Sequence, residues 1–347
     1  MPVPNSAPDR WTRLAPSPTG ALHLGNARTF LLTWALARRN GWGVAFRLDD
    51  LDGPRIKPGA DASAIADLRW LGLDWDTAEV RESTRRADYV AALDRLRESG
   101  HVYRCAATRR EIERASAPNE GDEADVGRTR ERATGPAEPF DVRYPGIYRS
   151  DAVPPPPAIG ENEPFGWRFR VPTGPVEFRD ERLGPQAVDI DRTVGDFVVW
   201  TKADLPAYQL AVCVDDAGRP GDPDWPHVTD VIRGDDLLPS TARQRLVLDA
   251  LGMPRPSWWH VPLVRGPDGR RLAKRHGDTR LAQYRAAGVA AERMIGLLAA
   301  WSGVGDPDQP GPMSARAFVE AWDPATLPAE DVVFTESHDR WLRKEPA

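Results

Sequence analysis

Arg13-Leu14-Ala15-Pro16-Ser17-Pro18-Thr19-Gly20-Ala21-Leu22-His23-Leu24-Gly25-Asn26-Ala27-Arg28 is the stretch whose reading decides how this chain folds. A short apolar run ends in a Pro/Gly loop, and a helix-forming segment follows. The loop carries His23 and the backbone N–H groups around Gly25 to a helix N-terminus, where partial positive charge and unpaired donors suit a phosphate. Pro16 and Pro18 stiffen the approach, and Gly20 and Gly25 let a ligand come close to the backbone.

Working outward, Trp11 to Ala15 reads as a first strand and Leu24 to Arg39 as a helix stopped by Asn40-Gly41. Val44 to Leu48 is a second strand. Asp61 to Leu71, capped by Asp61 or Ser63, and Thr84 to Ser99 are further helices. This β-α-β alternation predicts an α/β fold with a Rossmann-like parallel sheet and right-handed crossovers. Ligands bind such sheets beyond the strands' carboxyl ends. The Pro16–Gly20 loop and the acidic run Asp49 to Asp52 both lie there.

Pro118 to Pro139 is polar and without periodicity, and Ala152 to Gly166 contains four consecutive prolines, so both read as loops. Trp167 to Val171 and Val176 to Phe178 read as short antiparallel strands. The sheet is expected to resume at Asp196 to Trp200. Pro206 to Val214 reads as a helix with Pro206 in its first turn, and Thr229 to Arg233 as a strand. Ser240 is expected to cap a helix reaching Leu251. Trp259 to Val264 reads as the last buried strand and Ala290 to Trp301 as a helix. The expected domains are a Rossmann-like catalytic domain (10–104 and 191–280), an inserted α+β subdomain (105–190, with loops 118–139 and 152–166) and a short helical C-terminal region (281–347).

The 347 residues are 41% hydrophobic and 28% charged, a soluble globular balance. No apolar run approaches the roughly 20 residues that span a membrane. Met1 to Arg10 lacks the apolar core of a signal peptide. Two cysteines, Cys105 and Cys213, cannot form a disulfide framework, so a cytoplasmic protein is expected. The net charge of −6 argues against coating DNA or RNA, while leaving room for a local basic surface that holds one folded RNA.

Three further segments carry candidate chemistry. Gly266-Pro267-Asp268-Gly269-Arg270-Arg271-Leu272-Ala273-Lys274-Arg275-His276-Gly277 is a compact basic loop after a strand. Such a loop can fold over a triphosphate, and Lys274 is one of four lysines beside 42 arginines. Arg47-Leu48-Asp49-Asp50-Leu51-Asp52 offers carboxylates for an ammonium or a metal ion. Tyr208 and the strand-end Arg233 offer a hydroxyl and a bidentate fork for a carboxylate.

Together these segments resemble the class I aminoacyl-tRNA synthetases of the glutamyl branch. His23-Leu24-Gly25-Asn26 stands in the place of the first signature, His-Ile-Gly-His. Arg271-Leu272-Ala273-Lys274-Arg275 stands in that of the second, Lys-Met-Ser-Lys-Ser. Tyr208-Gln209-Leu210-Ala211 and Val228 to Gly234 also match. The resemblance runs from about Arg13 to Arg275. Since 73 residues follow Lys274, it is to the truncated glutamyl-Q tRNA(Asp) synthetases, without a helical anticodon-binding domain.

The resemblance implies ATP with Mg²⁺, L-glutamate, and tRNA(Asp) carrying queuosine as reactants, with no membrane and no DNA partner. It implies His23 and Lys274 as catalytic residues, and Pro16, Thr19, Gly20, His23, Gly25, Asn26, Arg271 and Lys274 around ATP. Arg13, Ala15, Ser17, Asp49, Tyr208 and Arg233 would surround glutamate; which arginine faces the side-chain carboxylate stays open. Asp49 stands where the family has Glu. The family's zinc knuckle, Cys-x-Cys and Tyr-x-x-x-Cys, reads here as Cys105-Ala106-Ala107 and Tyr144 to Tyr148. Zinc is therefore not expected, and Tyr148 is the candidate to fill the space. Two rivals are a shortened glutamyl-tRNA synthetase charging the 3′ end of tRNA(Glu) and a non-catalytic nucleotide- or tRNA-binding paralogue. A Rossmann dehydrogenase is disfavoured, because no G-x-G-x-x-G opens the first helix.

Overall fold

The computed structural model describes residues 8–51, 53–115, 143–151, 155–219, 222, 225–270, 272 and 279–343. The chain begins β1 (Trp11–Leu14), α1 (Leu24–Asn40), β2 (Gly43–Leu48), α2 (Ala60–Trp70), β3 (Glu79–Arg81), α3 (Arg86–Glu98), β4 (Val102–Cys105) and α4 (Arg109–Ala115). It continues through β5 (Gly166–Phe169), β6 (Val176–Asp180), β7 (Gly184–Val188), α5 (Ile190–Thr193), β8 (Phe197–Trp200), α6 (Tyr208–Ala217), β9 (Asp230–Gly234), α7 (Leu238–Leu251) and β10 (Ser257–Val261). Then come β11 (Val264–Arg265), α8 (Leu281–Ala286), α9 (Ala291–Ala300), α10 (Ala315–Ala321), β12 (Val332–Val333) and α11 (Glu336–Arg343).

The chain divides into two compact units. The first comprises Met1–Thr84, Gly218–Leu237 and Pro256–Ala347. In it β1, β2 and β3 are parallel neighbours, as are β9 and β10. The Thr229 N–H donates to the Trp11 carbonyl at 2.9 Å, and the Trp11 N–H donates to Thr229 Oγ1, joining β1 to the head of β9. Every residue of β2 is buried, as expected of an inner parallel strand covered on both faces. α1 presents Leu24, Ala27, Leu31 and Leu32 to the core, and Gly41, at φ +69°, ends it in the left-handed conformation. The C-terminal helices share this core: Leu297, Trp301, Phe318 and Trp322 cluster with Leu14, Leu31 and Phe46. Arg28 ties α1 to them. Its fully buried guanidinium donates to the carbonyls of Pro262 (2.6 Å) and Trp301 (3.0 Å) and to Ser302 Oγ (3.3 Å).

The second unit comprises Arg85–Ala217 and Leu238–Arg255. β4, β5 and β8 form an antiparallel sheet, and β6 and β7 an antiparallel pair. The expectation that Asp196 to Trp200 resumes the parallel sheet is therefore corrected: β8 pairs antiparallel with β5. Strand propensity locates such a segment but carries no information about its partner.

Local starts differ too. α2 is preceded by Gly59 at φ +77° and has no side-chain cap, because Asp61 accepts instead from Arg81 at 2.6 Å. Ser240 lies inside α7, where its Oγ accepts from Gln209 Nε2 (3.2 Å) and from the Arg243 guanidinium (2.9 Å). A 3₁₀ turn at Asp235–Leu237 leads directly into that helix. Pro206 precedes α6 rather than sitting in its first turn. The 118–139 segment lies outside the described residues.

Candidate active site

Within the first unit β1 runs parallel to β2, and β9 to β10, so within each pair the segments leaving the carboxyl ends lie side by side. His23 is the N-cap of α1, in extended conformation. Its Nδ1 accepts from the N–H groups of Gly25 (3.1 Å) and Asn26 (3.4 Å), and its own N–H donates to Asn26 Oδ1 (3.1 Å). This is a reciprocal capping box built on an imidazole. A ring nitrogen that accepts must hold a lone pair, so the hydrogen of the neutral ring belongs on Nε2. The first-turn donors expected to meet a phosphate directly are thus engaged by the ring, which extends the helix's positive end by one side chain. Gly25 lets the ring lie close: a Cβ would stand 3.0 Å from His23 Cε1, so the ring would have to give by a few tenths of an ångström.

The residues that follow the basic segment close on this turn. His23 and Arg280 form an antiparallel bridge, the Leu24 N–H donates to the Thr279 carbonyl (3.2 Å), and the Leu281 N–H donates to the Leu22 carbonyl (2.8 Å). Leu272 is buried in the main core. Thr279, Arg280 and Leu281, which follow the basic segment in the chain, thus lie against the His23 turn. Lys274 and Arg271 themselves lie outside the described residues.

The loop after β1 meets the loop after β2 through its backbone: the Asp49 N–H donates to the Pro16 carbonyl at 3.1 Å, and the Lys57 N–H to the Pro18 carbonyl. Ser17 is exposed, Ala15, Thr19, Gly20, Gly25 and Asn26 are half-buried, and Pro16 and Arg13 are buried. Asp49 accepts from Arg47 Nε at 2.6 Å and from its terminal nitrogen at 3.3 Å. The Arg47 side chain is 0% exposed and has a second carboxylate, Glu82, at 3.8 Å. One guanidinium thus faces two carboxylates, acidic groups of the kind that can hold an ammonium. On the neighbouring strands His260 and Arg233 are register partners, and Arg233 Nε donates to His260 Nε2 at 3.2 Å. Tyr208 opens α6 in the second unit and is 42% exposed. Sequence reasoning assigned no role to Glu82 or His260. A histidine within Trp258-Trp259-His260-Val261 was the available signal, since a buried polar side chain requires a partner.

Residues 11–139 and 157–307 match the family described as tRNA synthetases class I (E and Q), catalytic domain. The chain belongs to this family. It is a ligase of the aminoacyl-tRNA synthetase type. A glutamyl-Q tRNA(Asp) synthetase of Rhodopirellula baltica is 45% identical over 316 residues, covering 88% of each chain. One from Nocardia farcinica is 41% identical over 327 residues, covering 94% of this chain and 93% of the relative. A crystal structure of a glutamate tRNA ligase from Elizabethkingia meningosepticum in complex with its amino acid superposes with a TM-score of 0.73 at 25% identity. It covers 96% of this chain and 68% of that one. The α/β architecture of this class I synthetase is thus the one expected from its sequence.

The place of the zinc knuckle suggested by the sequence resemblance holds a small tyrosine-rich core. Cys105, Ala107 and Tyr144 are buried together, with Tyr103, Ile112, Ile147 and Tyr148 packed around them. Cys105 Sγ lies 3.4 Å from Tyr144 Oη, which accepts the Tyr148 N–H at 2.9 Å. Burial, together with Cys105, pushes the Tyr144 phenol well above its usual range. Among the described residues no cluster of three His, Cys, Asp or Glu side chains could hold a metal. One thiol and a neutral phenol do not fit zinc, which takes four donors.

Proposed function

We propose that this synthetase activates L-glutamate with ATP in the absence of tRNA and transfers it to the queuosine base at position 34 of tRNA(Asp). The observation that carries the activation step is the closure of the Thr279–Leu281 segment on the His23 turn. That closure brings the residues that follow Lys274 in the chain against the positive end of α1, which supports the reading that Lys274 and His23 grip one triphosphate from two sides. The choice of tRNA is supported by the names of relatives that match nearly end to end.

In this reading an α-carboxylate oxygen of glutamate attacks the α-phosphorus of ATP and pyrophosphate leaves. The nucleophile belongs to the substrate, so the protein positions groups and stabilises charge. His23, donating from Nε2, would stabilise the α-phosphate as its charge builds. Lys274 with Arg271 would neutralise the departing pyrophosphate, and Mg²⁺ would enter with ATP, shared by its phosphates. The Arg47–Asp49–Glu82 trio would hold the α-ammonium. Arg13 and Arg233 would hold carboxylate oxygens, with Tyr208 donating from its hydroxyl. A hydroxyl of the modified base then attacks the activated carbonyl, AMP leaves, and an alkali-labile ester results. The domain roles follow: catalysis in 10–104 and 191–280, with 105–190 as an insert and 281–347 as a C-terminal support.

The test is glutamate-dependent ATP–pyrophosphate exchange without RNA, followed by glutamate attachment to tRNA(Asp) with and without queuosine. Exchange without RNA and attachment to the modified tRNA alone are expected. Exchange that requires tRNA(Glu), with glutamate on the 3′ end, would replace this reading by that of a shortened glutamyl-tRNA synthetase.

A further inference from the structure

We infer that His260 is a positioning residue that sets the orientation of Arg233 for a substrate carboxylate. The inference rests on the proposed role of Arg233 at glutamate. β9 and β10 are parallel and place His260 directly beside Arg233. His260 is fully buried and Arg233 is buried with it. Arg233 Nε is the donor and His260 Nε2 the acceptor, at 3.2 Å. The accepting nitrogen holds its lone pair, so the ring is neutral at that atom and its hydrogen belongs on Nδ1.

This arrangement differs from that of Arg47, which faces the carboxylates of Asp49 and Glu82. An acceptor at Nε fixes the plane of the guanidinium. Nε is the one guanidinium nitrogen on the side-chain stem, so holding it sets the direction of the two terminal nitrogens. Recognition of a carboxylate by those nitrogens is bidentate and sensitive to angle. Removing the anchor returns rotamer freedom to a long side chain, and the substrate must then order it.

The experiment is glutamate and ATP titration in RNA-free exchange. His260→Ala is expected to raise the KM for glutamate about tenfold while leaving the KM for ATP within about twofold. His260→Gln, whose side-chain carbonyl can still accept, is expected to recover most of that loss. Lysine has no Nε–H, so in an Arg233→Lys background His260→Ala should change the glutamate KM by less than about twofold. Glutamate and ATP KM values that rise together, or a Gln variant no better than Ala, would overturn the inference. If His260→Ala does not fold, the Gln variant and its Arg233→Lys combination decide the matter: an unchanged glutamate KM in His260→Gln with a large further loss in the combination overturns it. A wild-type protein without exchange would instead sink the reading of the whole site.

Discussion

The carbonyl of Thr279 accepts the Leu24 N–H at 3.2 Å, so a residue just beyond the basic loop completes the first turn of α1. Leu24 is the first residue of a helix whose next two N–H groups already donate to His23 Nδ1. The two segments meet across some 250 residues of sequence. If Lys274 follows the charge of the departing pyrophosphate, Lys274→Ala should lower exchange by about 10²–10³-fold with the thermal midpoint unchanged. Near-normal exchange would remove Lys274 from the mechanism.

Gly25 tests the imidazole cap. An added methyl meets His23 Cε1 at 3.0 Å and Val264 Cβ at 3.7 Å, so the ring must shift by a few tenths of an ångström. Gly25→Ala should reduce kcat for exchange at least about tenfold, because displacing a positioned group is costly even where the fold tolerates it. Circular dichroism should be unchanged. Wild-type kcat in this variant would show that the ring position does not matter.

Arg28 tests whether the C-terminal helices are part of the catalytic core. Arg28→Met removes a guanidinium that satisfies two buried carbonyls and Ser302 Oγ. The expected loss is roughly 3 kcal/mol of unfolding free energy, since each buried acceptor left without a donor costs about 1–3 kcal/mol. Denaturant titration measures it; a change below about 0.5 kcal/mol would contradict the role given to this residue.

His338 supplies a pH dependence. Burial pushes its pKa below the ordinary histidine value, while Asp308 opposes the shift. The ring stacks edge-on with Trp301, and Nδ1 accepts the Thr335 N–H. The unfolded chain therefore takes up this proton at higher pH than the native one. The contribution to stability is full above the unfolded pKa near 6.5 and is lost as pH falls through the native value. His338→Gln should melt progressively closer to, or above, wild type as pH is lowered from 8 to 5. A pH-independent gap between the two melts would refute this assignment.

The tyrosine core at Cys105 should hold no metal. Protein purified without chelator should contain less than about one-tenth of a zinc per chain. Added chelator should leave the melting curve unchanged. Stoichiometric, tightly held zinc would mean that donors other than those described complete a site there.

Much of the architecture was legible in local sequence. The strand before the Pro16–Gly20 loop, the helix from Leu24 and the strand to Leu48 follow from apolar spacing and from glycine and proline punctuation. His23 and Gly25 were legible as a helix start. The expected starts at Asp61 and Ser240 were not realised, because Arg81 draws one side chain away and a preceding 3₁₀ turn overrides the other.

By itself the sequence determined the order of the principal strands and helices of the first unit, a helix start at His23 and membership of the class I synthetases, all of which reside in residues close together along the chain. Tertiary structure alone decided that β8 joins the antiparallel sheet, that Arg47 lies between Asp49 and Glu82, that His260 meets Arg233 and that Thr279 closes on Leu24. The physical reason is that strand propensity and helix capping act over a few residues. Strand partners, and the burial that forces a guanidinium or an imidazole to find a mate, are set by how distant segments pack.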